Sequence, residues 1–124
     1  FENRTVGLRV PESDRKGRRI ENRVPGVDVN PYLAMAATLA CGYIGMRDKI
    51  EPNKSMEGNA YLVKSQGLPR HLPDALQRLH RCKELREILG DTFVDLVIAV
   101  KQAEHDEYQD VISPWERQHL LLNV

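Results

Sequence analysis

Apolar residues recur every three or four positions over most of the chain after residue 30, which is the spacing of helices that pack along one side. The first such segment, residues 31–50, begins with Asn30 as a capping residue and Pro31 at the first helical position. Because small side chains allow close packing on several faces, this segment is predicted to be the central buried helix. Its small residues are Ala34, Ala36, Ala37, Ala40, Gly42 and Gly45.

The same helical spacing continues in the second half of the chain. Residues 72–89 predict one or two amphipathic helices. Gly90 is expected to end this segment, and Asp91 to cap a further helix over residues 92–111. The apolar residues through which that helix is expected to pack are Phe93, Val94, Val97, Ile98, Val100 and Tyr108.

A capping box formed by Ser113 and Glu116 predicts one last short helix. Residues 51–71 show no period and contain several turn-forming residues, so they predict a long surface loop. The apolar end of the chain is expected to dock on the core of this domain or on another subunit. It consists of Leu120, Leu121, Leu122 and Val124.

Before residue 30 the pattern changes from a helical period to that of strands. Residues 4–10 are rich in β-forming side chains, and residues 12–18 are polar and read as a turn. Residues 18–24 then alternate charged and uncharged positions. The chain is therefore predicted to be an α+β protein, with an N-terminal antiparallel β-hairpin from residues 4–10 and 18–24, backed by four or five helices.

Three charged residues of the second predicted strand, Arg19, Glu21 and Arg23, alternate with Ile20 and Asn22. Side chains two positions apart on a strand share a face, so these charges are predicted to stand in a row. The carboxylate can hold a hard cation such as Mg²⁺ or Mn²⁺, and the guanidiniums can bind phosphate or carboxylate oxygens bidentately. An ATP-dependent reaction on an acid substrate needs both. The alternative is an exposed strand face whose charges neutralise one another.

Two more arginines, Arg4 and Arg9, lie on the first predicted strand and would place four guanidiniums around Glu21. In a regular strand Arg4 and Arg9 point to opposite faces, because they are an odd number of residues apart. A bulge at Gly7 would bring them to the same side of the hairpin.

The composition is that of an ordinary globular domain: 124 residues, 41% hydrophobic, 29% charged and no formal net charge. Zero net charge argues against bulk binding of nucleic acid. Residues 1–23, however, contain seven basic and four acidic residues, a local charge of +3. The longest apolar stretch, residues 32–46, is too short to span a bilayer. Cys41 and Cys82 lack metal-ligand spacing and are interpreted as reduced, buried cysteines of a cytoplasmic protein.

Three motifs follow one another along the chain: Asn3-Arg4-Thr5 through Arg9-Val10-Pro11, then Arg19-Ile20-Glu21-Asn22-Arg23, and then Asn30-Pro31-Tyr32-Leu33-Ala34. Taken together, they make the sequence resemble the C-terminal part of the catalytic domain of the glutamine synthetase family. Their order and spacing follow the family pattern, and the resemblance extends to the end of the chain.

Within that family, two features are most similar to the branch that makes γ-glutamylpolyamines such as γ-glutamylputrescine. They are Glu21-Asn22-Arg23-Val24-Pro25-Gly26 and the ending Ile112-Ser113-Pro114-Trp115-Glu116-Arg117. The resemblance therefore implies glutamate, ATP and either ammonia or a polyamine as substrates. The sequence by itself does not choose between these amines.

The resemblance also implies a role for each charged residue of the hairpin. Glu21 is expected to bind the Mg²⁺ or Mn²⁺ ion that bridges the ATP phosphates. Arg4 and Arg23 are expected to contact glutamate and the transferred phosphoryl group, and Arg9 and Arg19 the nucleotide phosphates. In the implied reaction, the γ-carboxylate of glutamate takes the γ-phosphoryl group of ATP, and the amine then displaces phosphate.

The resemblance implies, in addition, that residues 1–124 are one part of a longer catalytic domain. The other metal ligands, the N-terminal β-grasp domain and the loop that shields the intermediate are expected upstream of Phe1. A chain that starts without Met agrees with this expectation. The 124-residue chain alone is therefore expected to be inactive, and the full-length protein to form a homo-oligomer of stacked rings.

Two other functions remain possible from the residues alone. The first is a small phosphate- or nucleic-acid-binding module built on the basic hairpin, which leaves Glu21 among the arginines unexplained. The second is a non-catalytic helical interaction domain that docks through its apolar end. It predicts that Arg19, Glu21 and Arg23 are dispensable.

Overall fold

A computed structural model of the chain describes residues 3–63 and 67–121. The chain divides into two compact units, Phe1–Gly67 and Leu68–Val124, which are described in turn. Among the described residues, the first unit contains a hairpin, a long helix and a short 3-10 helix, and the second contains four helices. The predicted α+β class is therefore confirmed.

The hairpin of the first unit consists of β1, Leu8–Arg9, and β2, Glu21–Asn22. The strands are antiparallel, with Leu8 opposite Asn22 and Arg9 opposite Glu21. One further backbone hydrogen bond, from Arg23 N to Gly7 O at 2.8 Å, extends the pairing beyond β1 and β2. The strands are much shorter than the predicted 4–10 and 18–24, because residues 4–6 form turns and a bend and residues 18–20 have no regular structure.

Gly7 does not form the bulge that the sequence suggested. It lies opposite Arg23 in the same register as the two strand pairs, so no extra residue is inserted there. A Cβ atom on Gly7 would lie 3.0 Å from Cγ2 of Val24, which is closer than almost all real contacts. Glycine at this position therefore allows a close approach of the two chain segments.

Helix α1, Pro31–Arg47, follows the hairpin. Its beginning is as predicted: the side chain of Asn30 accepts hydrogen bonds from the backbone N–H groups of Tyr32 and Leu33, at 3.0 and 3.3 Å. The hairpin is joined to this helix by a hydrogen bond from Asn22 Nδ2 to Thr38 Oγ1 at 3.0 Å. Asn22 points away from the face that carries Glu21, so one strand face contacts α1 and the other carries the charged residues.

The prediction that this helix is buried on all sides is wrong for the chain as described. Ala40 is buried, but five large apolar side chains at helical spacing are 53–76% exposed. They form a stripe along one face of α1, which we call the α1 apolar stripe: Tyr32, Met35, Leu39, Tyr43 and Met46. Small residues permit close packing, but they do not supply the neighbouring layer that would cover these side chains.

The second unit contains α2, Leu72–Arg81, and α3, Lys83–Leu89, so the predicted amphipathic segment is two helices. The long helix α4, Asp91–Gln109, packs against both. Leu76 of α2 and Val94 of α4 are buried at the centre of this unit. Gly90 joins α3 to α4 with φ +85°, a conformation that side chains with a Cβ rarely adopt, as its predicted role as a helix terminator requires.

Asp91 does not cap α4, contrary to the prediction. It is the first residue of the helix, and its Oδ1 accepts a hydrogen bond at 2.8 Å from Nη1 of Arg86. The same guanidinium donates to Asp95 Oδ1 at 2.5 Å and to the backbone oxygen of His80 at 2.8 Å. Arg86 thus connects the end of α2 to the start of α4. The Asp91 carboxylate pairs with Arg86 in this connection and does not cap the helix.

The last helix, α5, Pro114–His119, has the predicted capping box. Ser113 Oγ accepts from Glu116 N at 3.2 Å, and Glu116 Oε2 accepts from Ser113 N at 2.7 Å. Among the described residues, five apolar side chains expected to pack are instead exposed: Phe93, Val100, Tyr108, Leu120 and Leu121. The predicted docking residues Leu122 and Val124 lie outside the described residues.

Within residues 3–63 and 67–121, no helix combines the length and the apolar character needed to cross a membrane. Cys41 and Cys82 are both free thiols, as expected. Cys41 is exposed on α1, so the prediction that both cysteines are buried is wrong.

Candidate functional site

Glu21 and two arginines meet on one face of the hairpin. Arg9 lies directly opposite Glu21 and donates to its Oε2 from Nε at 2.8 Å, while Nη2 of Arg9 lies 2.6 Å from the same oxygen. Arg19, two positions before Glu21, places Nη2 at 3.2 Å from Oε1. The predicted alternation therefore brings Arg19 beside Glu21, and the strand register brings Arg9 there from the other side.

The two arginines hold Glu21 unequally. The Arg9 side chain is only 13% exposed, whereas that of Arg19 is 57% exposed and donates its other hydrogen bond to the backbone oxygen of Gly17 at 3.2 Å. Arg9 is thus the fixed partner of the carboxylate. Arg19 is the partner that solvent or a ligand can reach and draw away.

Arg9 also has an unused hydrogen-bond donor. Its Nη1 atom is buried and has no hydrogen-bond partner among the described residues. A buried donor on a charged group is costly to leave unpaired, so this atom is suited to an acceptor that residues 3–63 and 67–121 do not provide. A phosphate or carboxylate oxygen is an acceptor of this kind.

The other two predicted arginines do not join this cluster. Among the described residues, no carboxylate lies within ion-pair distance of Arg4 or Arg23, and both are exposed. The backbone N–H of Arg23 is fixed by its bond to Gly7, which places this residue at the end of the paired region. Arg4 lies in a turn upstream of β1. The structure therefore places two guanidiniums around Glu21, whereas the hypothesis had four.

Glu21 could supply at most one ligand of a metal site within the described residues. No group of three His, Cys, Asp or Glu residues that could hold an ion occurs in the described segments. Both oxygens of Glu21 already accept from guanidiniums, which repel a cation. Mg²⁺ and Mn²⁺ require several oxygen ligands, so the described residues fit one ligand of such a site and do not fit a complete one.

Sequence reasoning missed two polar residues, Asn3 and Thr5, which flank Arg4. The structure connects them by side-chain hydrogen bonds to the backbone at residues 56–60, in the loop predicted to be irregular. The Asn-Arg-Thr motif carried a signal for this: two hydrogen-bonding side chains on either side of an exposed arginine. A single sequence did not indicate where in the chain their partners lie.

The arginines also control the ionisation of Glu21. The hydrogen bond from Arg9 is the main cause that holds the pKa of Glu21 below its ordinary value, with smaller contributions from the charges of Arg9 and Arg19. Burial opposes the shift but does not cancel it. Because the pKa is lower in the folded state, the stabilisation is present above the ordinary pKa of 4.5 and is lost as the pH falls through the lowered pKa.

We therefore expect carboxyl NMR of Glu21 to titrate below the ordinary pKa of glutamate. Replacing Arg9 by methionine should raise this pKa towards its ordinary value, and replacing Arg19 by methionine should raise it less, because the Arg9 hydrogen bond is the largest cause. Arg15→Met, in the exposed turn of the hairpin, is the control that should leave the pKa of Glu21 unchanged. An equal or larger effect of Arg19 would contradict the unequal geometry.

Comparison with known proteins gives one family over nearly the whole chain. A sequence model described as the catalytic domain of glutamine synthetase matches residues 1–120. This match covers the hairpin with Arg9, Arg19 and Glu21, and also both units of the structure.

Individual relatives whose names give different activities match about equally well. A type-1 glutamine synthetase 2 from Dictyostelium discoideum is 36% identical over 126 residues, covering 98% of this chain and 24% of that protein. A glutamate–isopropylamine ligase from a Pseudomonas species is 38% identical over 120 residues, covering 94% and 26%. A γ-glutamylputrescine synthetase from Escherichia coli K12 is 36% identical over 122 residues, covering 98% and 26%. The chain spans about a quarter of the length of these curated relatives.

Proposed function

This chain belongs to the glutamine synthetase family, and on that premise we propose that it is part of an ATP-dependent ligase that joins glutamate to an amine. The reaction would pass through γ-glutamyl phosphate, which the amine converts to a γ-glutamyl amide with release of phosphate. The observation that carries the proposal is the Arg9–Glu21–Arg19 cluster on one face of the hairpin, with the buried Nη1 atom of Arg9 that has no partner among the described residues.

The proposed roles of the arginines follow from the exposure of each guanidinium and from the contacts that it already makes. Arg9 keeps Glu21 in place and directs its free Nη1 donor to a nucleotide phosphate. Arg19, more exposed and more weakly held, exchanges its carboxylate contact for a phosphate oxygen. Arg4 and Arg23 have exposed guanidiniums and bind glutamate and the transferred phosphoryl group. Positioned positive charge is the main means by which proteins catalyse phosphoryl transfer.

Glu21 is proposed to contribute one ligand to a Mg²⁺ or Mn²⁺ site that is completed by residues outside this chain. Oε1 is the oxygen available for this, since its contact with Arg19 is longer and more exposed than the paired contacts of Oε2 with Arg9. The ion would neutralise charge on the ATP phosphates. Because the described residues supply one such ligand, we propose that the 124-residue chain alone has no ligase activity.

The remainder of the longer protein is also proposed to cover the α1 apolar stripe, which is too large a run of exposed apolar side chains for an isolated domain. By resemblance to the family, the full-length protein would be a cytoplasmic homo-oligomer of stacked rings. A sedimentation measurement on the full-length protein would give its subunit number.

The experiment that tests this function is release of phosphate by the full-length protein, with glutamate, Mg-ATP and a panel of ammonia, isopropylamine, putrescine and spermidine. We expect at least one amine to stimulate phosphate release strongly, with the motif from Glu21 to Gly26 favouring a polyamine. The 124-residue chain is the control that should give no amine-dependent release.

The outcomes separate the family activity from the choice of amine. Stimulation by putrescine or spermidine alone would support the polyamine branch, and stimulation by ammonia alone would keep the ligase and reject that branch. Failure of every amine, together with no effect of replacing Glu21, would reject the ligase proposal. The non-catalytic interaction domain would then be the better account.

A further inference from the structure

Asn3 and Thr5 connect the turn that carries Arg4 to a loop more than fifty residues away. Asn3 Nδ2 donates to the backbone oxygens of Met56 and Gly58, at 3.1 and 2.8 Å. Thr5 Oγ1 accepts from the backbone N–H of Ala60 at 2.8 Å. We call these three long-range hydrogen bonds, with the residues that make them, the Asn3–Thr5 latch.

The two latch side chains also bind each other. Asn3 Oδ1 accepts from the backbone N–H of Thr5 at 2.9 Å and from its hydroxyl at 2.6 Å. The amide group of Asn3 thus uses both donors and accepts twice, and the hydroxyl of Thr5 donates once and accepts once. A side chain with this many directed bonds has little rotational freedom, and the backbone of Arg4 is held between two such side chains.

The loop end of the latch has its own local order. Gly58 has φ +78°, which favours glycine, and Asn59 caps a short 3-10 helix, Ala60–Leu62, by accepting from Tyr61 N at 3.0 Å. The loop therefore presents two carbonyl groups and one N–H group in a defined arrangement to Asn3 and Thr5.

The latch leaves the arginine between its two residues exposed. Arg4 is exposed and has no carboxylate partner among the described residues, so the contacts that hold it are those of the backbone between Asn3 and Thr5. We propose that Asn3 and Thr5 are positioning residues for Arg4, and that the loop at residues 56–60 acts on the ligase reaction by fixing this arginine. The proposal rests on the proposed function, because it assigns Arg4 a substrate.

The kinetic test is a double-mutant cycle in the full-length protein. Thr5→Val keeps the shape of the side chain and removes both hydroxyl bonds, and we expect it to lower kcat/KM about tenfold or more, because small misplacement of a binding group is costly. In an Arg4→Ala background the same substitution should lower kcat/KM by less than about twofold, because the arginine that it would misplace is absent. Thr5→Ser should restore activity to within about twofold of wild type.

Controls distinguish positioning from stability. Thr92→Val, at an exposed site in the first turn of α4, makes the same chemical change away from the latch and should leave kcat/KM unchanged. If Thr5→Val lowers kcat/KM by the same factor with and without Arg4, the latch acts by general stabilisation and the positioning role is overturned. An unchanged kcat/KM for Thr5→Val would overturn it equally.

A second readout is independent of ligase activity. In the full-length protein, amide hydrogen exchange at Ala60 and in the segment around Arg4 should be slow in the wild type and about tenfold or more faster in Thr5→Val, because the hydroxyl accepts from the Ala60 N–H. Unchanged exchange in both segments would reject the latch whatever the enzyme does. If no amine stimulates the wild-type protein, the proposed function fails, and faster exchange in both segments still supports the latch as the element that holds the backbone around Arg4.

Discussion

Replacing Glu21 by glutamine should reduce amine-dependent phosphate release by the full-length protein at least about 10²-fold, comparable to the loss of one charge-stabilising group in other enzymes. Glutamine retains the shape and one acceptor oxygen, but it removes the negative charge that a divalent ion requires. It also releases Arg9 and Arg19 from the carboxylate that orients them. Steady-state kinetics at saturating glutamate and Mg-ATP would measure the loss in kcat.

Two companion variants separate these effects. Glu21→Asp keeps the charge but moves it back by the length of one methylene, so kcat should fall less than in Glu21→Gln. A higher Mg²⁺ concentration should partly restore this kcat. Glu12→Gln removes a carboxylate from the exposed hairpin turn and should leave kcat unchanged. Full activity of Glu21→Gln would contradict both the metal role and the site. If Glu21→Gln is unfolded at the assay temperature, its loss of activity reflects a folding defect instead.

The parts of the structure that depend on local sequence were predictable. The cap at Asn30, the end of α3 at Gly90 and the box of Ser113 with Glu116 each involve residues a few positions apart. The contact of Arg19 with Glu21 is of the same kind, because alternation along a strand fixes it. Such features need no knowledge of the rest of the fold.

The parts that depend on distant segments were not predictable. The loop end of the latch is more than fifty residues from Asn3, and no periodicity connects the two. Asp91 was predicted to be a cap because the sequence did not reveal that its carboxylate would accept a hydrogen bond from Arg86. The exposure of the α1 apolar stripe depends on which layers lie next to the helix, and the helix's own residues do not specify them.

The pairing of Arg9 with Glu21 lies between these cases. Arg9 was recognised as a site residue by its type, but its face depended on the register of the hairpin, which the sequence did not determine. The structure places Arg9 opposite Glu21, and it excludes Arg4 from the paired strand. The roles of Arg4, Arg9, Arg19, Arg23 and Glu21 in substrate and metal binding stay predictions.

Replacing Arg23 by lysine should lower kcat of the full-length protein at least about 10²-fold while leaving its thermal stability close to that of the wild type. Arg23 is exposed and makes no ion pair with a described carboxylate, so the substitution breaks no bond that supports the hairpin. Its backbone N–H, which does support the hairpin through Gly7, is retained in lysine. Lysine keeps the charge but loses the planar fork that binds two oxygens of a phosphoryl group together.

The matched control is Arg15→Lys in the exposed turn of the same hairpin, which should alter neither kcat nor stability. Arg9→Lys makes a third comparison, because it should lower stability as well as activity: its guanidinium makes the paired contacts with Glu21. If Arg23 binds the phosphoryl group mainly in the transition state, kcat falls and KM for ATP changes little. An active Arg23→Lys enzyme would show that charge alone suffices there, and the bidentate role proposed for this arginine would be wrong.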